Sequence, residues 1–276
     1  MPANNIHVSV LQMTSNENVE QNLSFIEDTL VAADVPNHKL TVLPENFAFM
    51  GLHESDKLQF AEAYGDGPIQ KRLARLAKKL QITIIAGSVP IKSSDSNRCY
   101  AACLVFDEKG HCVSRYDKIH LFDVEVSATE SHKESSSVCP GEKIVVVDTS
   151  IGRIGLSICY DIRFPELYRN LRKQGADIFI VPAAFTYDTG KQHWETLLKA
   201  RAIENLSFVL ASDQCGTHNN GRKTFGHSMI VSPWGDKLAE CQDLPGLAFA
   251  SIDFDQMHKI RQRFPCIEHQ KLDYIM

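Results

Sequence analysis

Three ionisable side chains stand where short runs that read as strands end. Cys159 closes Ile154-Gly155-Leu156-Ser157-Ile158, Glu45 closes Leu40-Thr41-Val42-Leu43-Pro44, and Lys118 ends the segment that begins Arg115-Tyr116-Asp117. A cysteine at a strand-to-helix corner is lifted off the sheet, as nucleophiles of α/β enzymes are. The N-terminus of a helix beyond that corner favours a thiolate. A free cysteine is also one of the commonest core residues, so the corner alone decides nothing. A carboxylate at the end of an apolar run is partly buried and needs a partner. Taken singly, Glu45 and Lys118 read as solvated strand ends rather than as catalytic groups. Together the three put a thiol, a carboxylate and an ammonium at strand ends, and open α/β sheets gather their active sites at the carboxyl ends of strands.

The elements that must carry these residues alternate in type along the chain. Apolar or β-rich runs predict strands at 6–13, 40–46, 82–89, 99–106, 111–118, 143–148, 153–158, 177–182, 207–212, 227–232 and 247–253. Asp107-Glu108-Lys109-Gly110 reads as a hairpin turn. Asn16 is placed to cap a helix carrying Val19, Leu23, Ile26 and Leu30 at helical spacing. Gly67-Pro68 opens a second helix, with proline suited to its first turn. A third, amphipathic helix follows Arg163-Phe164-Pro165, and a fourth spans 190–205 with Trp194, Leu197, Leu198 and Ala202 on one stripe. Residues 123–142 form a long strandless stretch, and loops of that length in compact domains are usually functional. No repeat or linker interrupts the pattern, so residues 1–276 read as one domain.

Composition removes several function classes. The chain has 276 residues, 43% of them hydrophobic, with 29 Lys plus Arg against 34 Asp plus Glu. A net charge of −5 argues against nucleic-acid or anionic-membrane partners. No apolar run approaches the length of a membrane span, and MPANNIHVSVLQ lacks the cationic and apolar regions of a secretory signal, so a cytoplasmic protein with reduced thiols is expected. Eight scattered cysteines without a Cys-x-x-Cys pair suit neither a disulfide framework nor zinc. Gly65-Asp66-Gly67 lacks the third glycine of a dinucleotide fingerprint, and no phosphate loop is present. A papain-like partner for Cys159 would have to come from afar, with His193, His218 and His227 each available and each as easily structural.

Leu43-Pro44-Glu45-Asn46, then Tyr116-Asp117-Lys118-Ile119-His120-Leu121-Phe122-Asp123, then Cys159-Tyr160-Asp161-Ile162-Arg163-Phe164-Pro165-Glu166 resemble, in order and spacing, the three signature segments of the nitrilase superfamily. The likeness continues through Pro182-Ala183-Ala184-Phe185, His193-Trp194-Glu195, Gly226-His227-Ser228 and Pro233-Trp234-Gly235, nearly the whole chain. It implies a four-layer αββα sandwich. It further implies cleavage of a non-peptide carbon–nitrogen bond through a cysteine thioester, without metal or organic cofactor. On that resemblance Cys159 is the nucleophile, Glu45 the general base, and Lys118 with the Tyr160 backbone N–H the oxyanion holders. A second glutamate between lysine and cysteine is best matched by Glu134, with Glu125 and Glu130 as rivals in the same stretch.

Finer features, Arg163-Phe164-Pro165-Glu166, Asp213-Gln214-Cys215-Gly216-Thr217-His218 and Gly226-His227-Ser228-Met229-Ile230-Val231, resemble the deaminated glutathione amidase branch. That branch cleaves the amide joining 2-oxoglutarate to cysteinylglycine, whereas the neighbouring ω-amidases act on 2-oxoglutaramate. An acyltransferase or a silent binding protein of the same fold are the remaining alternatives. The resemblance places Arg163, Phe185 and Thr189 around the acyl group. It also implies a homodimer, assembled through helices flanking the cysteine and the tail 264–276. Ser127-Ala128-Thr129 stands where the family usually has a Pro-Gly pair.

Overall fold

The computed structural model describes residues 6–127 and 130–272. Two six-stranded sheets form its centre. In the first, Ile6–Gln12, His38–Val42 and Thr83–Lys92 run parallel. Gly246–Ile252 pairs antiparallel outside Ile6–Gln12, and Cys99–Phe106 followed by Cys112–Asp117 extend the other edge antiparallel. In the second, Gly152–Leu156, Ile178–Ala183 and Phe208–Asp213 run parallel. Val146–Thr149 pairs antiparallel on one side, and Met229–Val231 with Lys237–Glu240 on the other.

Strand alternation sorts the side chains into layers. On the first sheet, Val8, Val10, Leu40, Val42 and Ile85 join one core with Leu156, Ile178, Ile180, Leu210 and Ile230 of the second sheet. Ile84, Ala86, Leu104 and Phe106 face the other way, onto Leu23, Ile26 and Leu30 of helix α1 (Val19–Ala32) and Ile69, Leu73 and Leu76 of helix α2 (Pro68–Leu80). The outer face of the second sheet is covered by Leu167, Tyr168 and Leu171 of helix α3 (Pro165–Lys173) and Trp194, Leu198 and Ala202 of helix α4 (Tyr187–Asn205). The order helix, sheet, sheet, helix is the four-layer sandwich that the resemblance implies. Helix α5 (Phe254–Arg263) packs Met257 against the same central core. No helix among the described residues is long and apolar enough to cross a membrane.

Two expectations need correction. Helix α1 is capped by Asn18, whose side chain accepts from the Gln21 N–H at 3.1 Å, not by Asn16. Asn16 builds the turn before the cap, its side chain accepting from the Asn18 N–H at 2.7 Å. Nor is 123–142 strandless: Asp123–Ser127 and Glu130–Lys133 form an antiparallel hairpin, followed by a 3-10 turn at Glu134–Ser136. The first strand alternates through Val124 and Val126, but Glu130-Ser131-His132-Lys133 has no apolar residue, so a reading by hydrophobic period finds no second strand to pair with it. Ala128 and Thr129, where the chain departs from the family's Pro-Gly, lie outside the described residues, as do residues 273–276 of the tail.

The sheets are bound tightly to the segment that delivers Glu45. Gly87 lies in the strand Thr83–Lys92, and a Cβ there would overlap the carbonyl oxygens of Leu43 and Pro44. Gly87→Ala must therefore push this backbone away, and overpacking of this kind typically costs about 1 to 3 kcal/mol. We expect a lowered Tm in thermal denaturation together with reduced turnover, and an unchanged Tm would contradict this packing.

Candidate active site

Parallel strand order brings the three strand-end residues to one place. Glu45 follows the strand His38–Val42, and Cys159 follows Gly152–Leu156 in the facing sheet. The strand Cys112–Asp117 reverses direction twice relative to Thr83–Lys92, so Lys118 emerges at the same end as Glu45. The Glu45 backbone is held from both flanks. Leu43 N–H donates to Ile85 O at 2.9 Å, Asn46 N–H to Ser88 Oγ at 2.8 Å, and Gln214 Nε2 to Glu45 O at 2.9 Å. Lys118 is pinned through its own N–H to Ala101 O (3.0 Å) and its carbonyl to Gly141 N–H (2.8 Å).

Cys159 opens a 3-10 turn, Cys159–Arg163, in the left-handed region at φ 47°. Strain of this type costs on the order of 1–3 kcal/mol and persists where surrounding contacts enforce it. Asp161, fully buried, supplies those contacts. Its carboxylate accepts from Ile158 N–H (2.8 Å) and Tyr116 O–H (2.7 Å), and His120 adds its backbone N–H (3.1 Å) and ring Nδ1 (2.7 Å). Tyr116 and His120 stand two residues either side of Lys118, so one carboxylate ties the cysteine turn to the lysine segment.

At the centre, Lys118 Nζ donates to Glu45 Oε1 at 2.8 Å and to both oxygens of Glu134 at 2.9 and 3.0 Å. The side chains of Lys118, Glu45 and Glu134 are only 2%, 6% and 11% exposed, so this is a nearly dry triad. Glu45 Oε2 accepts from Ala184 N–H at 3.0 Å, and Cys159 lines the same pocket beside this carboxylate. Burial alone would raise the Glu45 carboxyl, but the adjacent Lys118 ammonium outweighs it and holds the group below its usual range. Burial would likewise weaken the ammonium, yet Glu134 and Glu45 keep Lys118 charged well beyond the ordinary lysine range.

The Cys159 thiol moves in the direction opposite to the expectation. Burial pushes it well above the usual cysteine range, the Glu45 charge adds to that, and Lys118 opposes only in part. The expected helix dipole fails because helix α3 starts at Pro165, beyond the intervening 3-10 turn, and the dipole acts over about one turn. A neutral thiol beside an ionised carboxylate suits proton transfer to a base rather than a resting thiolate.

All eight residues singled out in the sequence line one pocket: Glu45, Lys118, Glu134 and Cys159 with Tyr160, Arg163, Phe185 and Thr189. Of the rivals to Glu134, Glu125 pairs across the hairpin with Ser131, and the Glu130 side chain falls outside the described ones. Arg163 forms no pair with Asp161, whose oxygens are engaged as described. Its guanidinium reaches His193 Nδ1 at 3.3 Å and lies over the rings of Phe185 and Tyr160 at 5.3 and 5.8 Å. Thr189 shares a 2.6 Å hydroxyl contact with Thr186. His218 bonds Ser15 O and Thr224, and His227 bonds Glu240, so neither is a papain-like partner of Cys159.

Sequence reading missed the outer wall of the pocket, formed by Asn46, Glu54, Lys57, Phe122, His132 and Arg222. Glu54 and Lys57 form an ion pair at 2.9 Å, and the lysine charge draws the Glu54 carboxyl down to about 2. Their i, i+3 spacing in Glu54-Ser55-Asp56-Lys57 was the available signal, but it is common on any polar turn. Arg222 sits in the polar run Asn219-Asn220-Gly221-Arg222-Lys223, which carries no periodic signal at all.

The electrostatics yield a direct test. At neutral pH, wild type and Cys159→Ala should show the same ultraviolet thiolate absorbance, because the resting thiol is protonated. A thiolate band lost on substitution would overturn that assignment.

Comparison with known proteins agrees with this architecture. The chain matches the carbon-nitrogen hydrolase family over residues 7–262. It is 44% identical over 265 residues to a deaminated glutathione amidase of Synechocystis sp., covering 95% of this chain and 97% of that protein. A deaminated glutathione amidase of Yersinia enterocolitica is 39% identical over 269 residues, covering 97% and 93%. The crystal structure of the C. elegans NitFhit protein superposes with a TM-score of 0.91 at 38% identity, covering 98% of this chain and 66% of that one. With its sandwich and its signature segments, this chain belongs to the carbon-nitrogen hydrolase family, the nitrilase superfamily.

Proposed function

We propose that this protein hydrolyses the amide of deaminated glutathione, releasing 2-oxoglutarate and cysteinylglycine, as a repair reaction on a damaged metabolite. The observation that carries the chemistry is the contact of Cys159, Glu45 and Lys118 in one buried pocket. The substrate follows from relatives of that name, similar across nearly the whole chain. In this reading Cys159 Sγ attacks the amide carbon while its proton passes to Glu45. Lys118 Nζ and the Tyr160 N–H hold the oxyanion, one such donor typically being worth about 3 to 4 kcal/mol. The carbon–nitrogen bond then breaks as Glu45 returns the proton to the departing amine, leaving a thioester. Water attacks the thioester, giving its proton to Glu45, and the thiol recovers it as 2-oxoglutarate leaves. Glu134, anchored by the Phe122 N–H at 2.7 Å, orients the amine and the water. No cofactor takes part.

The acyl half carries a carboxylate and a ketone remote from the scissile bond. Arg163 suits the carboxylate, since a guanidinium binds it with two parallel donors. Phe185 packs on the methylenes, and the Thr189 hydroxyl donates to an oxygen. An ω-amidase acting on 2-oxoglutaramate would use the same acyl pocket, so only the leaving group divides the two readings. We expect a higher kcat/KM for deaminated glutathione than for 2-oxoglutaramate, measured as released 2-oxoglutarate, and the reverse order would favour the ω-amidase. Arg163→Ala should depress both rates strongly, and Cys159→Ala should abolish turnover in a folded protein. New amide products on addition of free amines would mark an acyltransferase instead.

The pH dependence has a defined sign. Glu45 must be ionised to accept the proton, and its carboxyl lies below the ordinary value of about 4.3. Activity should therefore persist down to that pH and fall only below it. An acid limb of kcat/KM near neutrality would point to a different base.

The protein acts as a single domain, cytoplasmic and at least dimeric, in this proposal. Eight free cysteines suit a reducing compartment. Trp234 and Phe264 are 56% and 52% exposed and stack edge-to-face at 5.8 Å, an apolar surface at the start of the tail 264–276 that suits a subunit contact. Light scattering at micromolar protein should give at least a dimer mass, and a monomer mass would remove the dimer.

A further inference from the structure

The pocket opens through a neck into a larger vestibule, and the charges along this path are unevenly matched. Arg163, Phe185 and Thr189 line the inner pocket alone. Lys57, Glu54 and Arg222 line both spaces, and Lys223 lines the vestibule alone. Lys118 is consumed by Glu45 and Glu134. Glu54 is taken by Lys57 at 2.9 Å and is 4.0 Å from Arg222. Glu54 thus serves two cations at the neck, and among the described residues no carboxylate is within hydrogen-bond distance of the Arg222 guanidinium. Of the acidic groups on the vestibule wall, Asp243 pairs with His227 at 3.3 Å, and Asp188 lies in the first turn of helix α4.

Arg222 also has donors to spare. A guanidinium carries five N–H groups. Nη2 donates to Ala184 O at 2.6 Å, and Nε is buried without a hydrogen-bond partner among the described residues. The remaining Nη N–H groups, on a side chain that lines both spaces, are charged donors suited to a carboxylate.

We infer that Arg222, seconded by Lys223, is the specificity determinant for the leaving group and binds a carboxylate at its far end. The inference rests on the substrate reading above. Cysteinylglycine places its carboxylate two residues from the scissile nitrogen, about 7 Å when extended. With the acyl carboxylate on Arg163 inside, the second carboxylate leads out through the neck. The two guanidinium groups, both on the wall of the pocket that holds Cys159 and neither hydrogen-bonded to a carboxylate, match the two charges of such a substrate. 2-Oxoglutaramate, whose leaving group is ammonia, uses only the inner one.

Three substrates with one acyl half test this: deaminated glutathione, its C-terminal carboxamide, and 2-oxoglutaramate. In wild type, amidation of the C-terminus should lower kcat/KM at least tenfold, mainly through KM, because the lost contact is made equally in ground and transition states. In Arg222→Gln the acid-to-amide ratio should fall to within about threefold, and Arg222→Lys should restore part of it. Lys223 is exposed, so Lys223→Ala should fold normally, and it should lower the same ratio by a smaller factor. Equal rates on acid and carboxamide in wild type would overturn the inference whatever the variants do, as would an unchanged ratio in Arg222→Gln. If acid and carboxamide are equal and both exceed 2-oxoglutaramate, only the carboxylate contact fails. If 2-oxoglutaramate is the best of the three, the substrate reading itself fails.

Discussion

An ammonium buried between two carboxylates is the interaction on which the rest of the site depends. Lys118 is almost completely dry, and so is Glu45. Removing one partner from such an arrangement strands an uncompensated charge, which typically costs about 3 to 5 kcal/mol. The arrangement is also what gives the groups their protonation states. Without Lys118, burial would neutralise Glu45. With it, the carboxylate stays charged in a pocket that has pushed the neighbouring thiol towards its neutral form. Adjacent groups driven apart in this way are the usual sign of an acid–base pair.

Holding three charges together without water requires backbone precision from both sheets. Glu45 and Lys118 come from the first sheet and Cys159 from the second, so the layers must keep their register for the thiol to reach its base. Asp161 does much of this across the interface, bonding the cysteine turn on one side and Tyr116 and His120 on the other. Gln214, next to the last residue of the strand Phe208–Asp213, reaches over to the Glu45 carbonyl. The left-handed backbone of Cys159 is sustained by these contacts and leaves the Tyr160 amide free of the regular ladder.

In the proposed reading, specificity is built in a second ring of residues with a different physical character. Two carboxylates against one ammonium leave the central triad net negative, whereas Arg163 and Arg222 meet ring faces, a histidine and a carbonyl, with Glu54 4.0 Å from Arg222. Such partners orient a guanidinium without quenching it. The pocket can therefore be anionic where the thiol is activated and cationic where a dianionic amide has to be bound.

The sequence by itself determined most of the scaffold and the identity of the central residues. Periodicity in 6–13, 99–106 and 190–205 is strong because those segments bury one face or both, and burial writes its period into the residue types. Glu45, Lys118 and Cys159 were legible because a polar residue at the end of an apolar run is costly and so stands out. The outer wall at Lys57, His132 and Arg222 was not legible, since polar residues in solvated loops follow no period, and the hairpin was missed because its second strand, Glu130–Lys133, has no apolar residue. The state of the thiol was decided only by tertiary structure. A helix following a cysteine is a local feature, whereas burial under a facing sheet and beside a distant carboxylate depends on where the whole chain brings its strand ends.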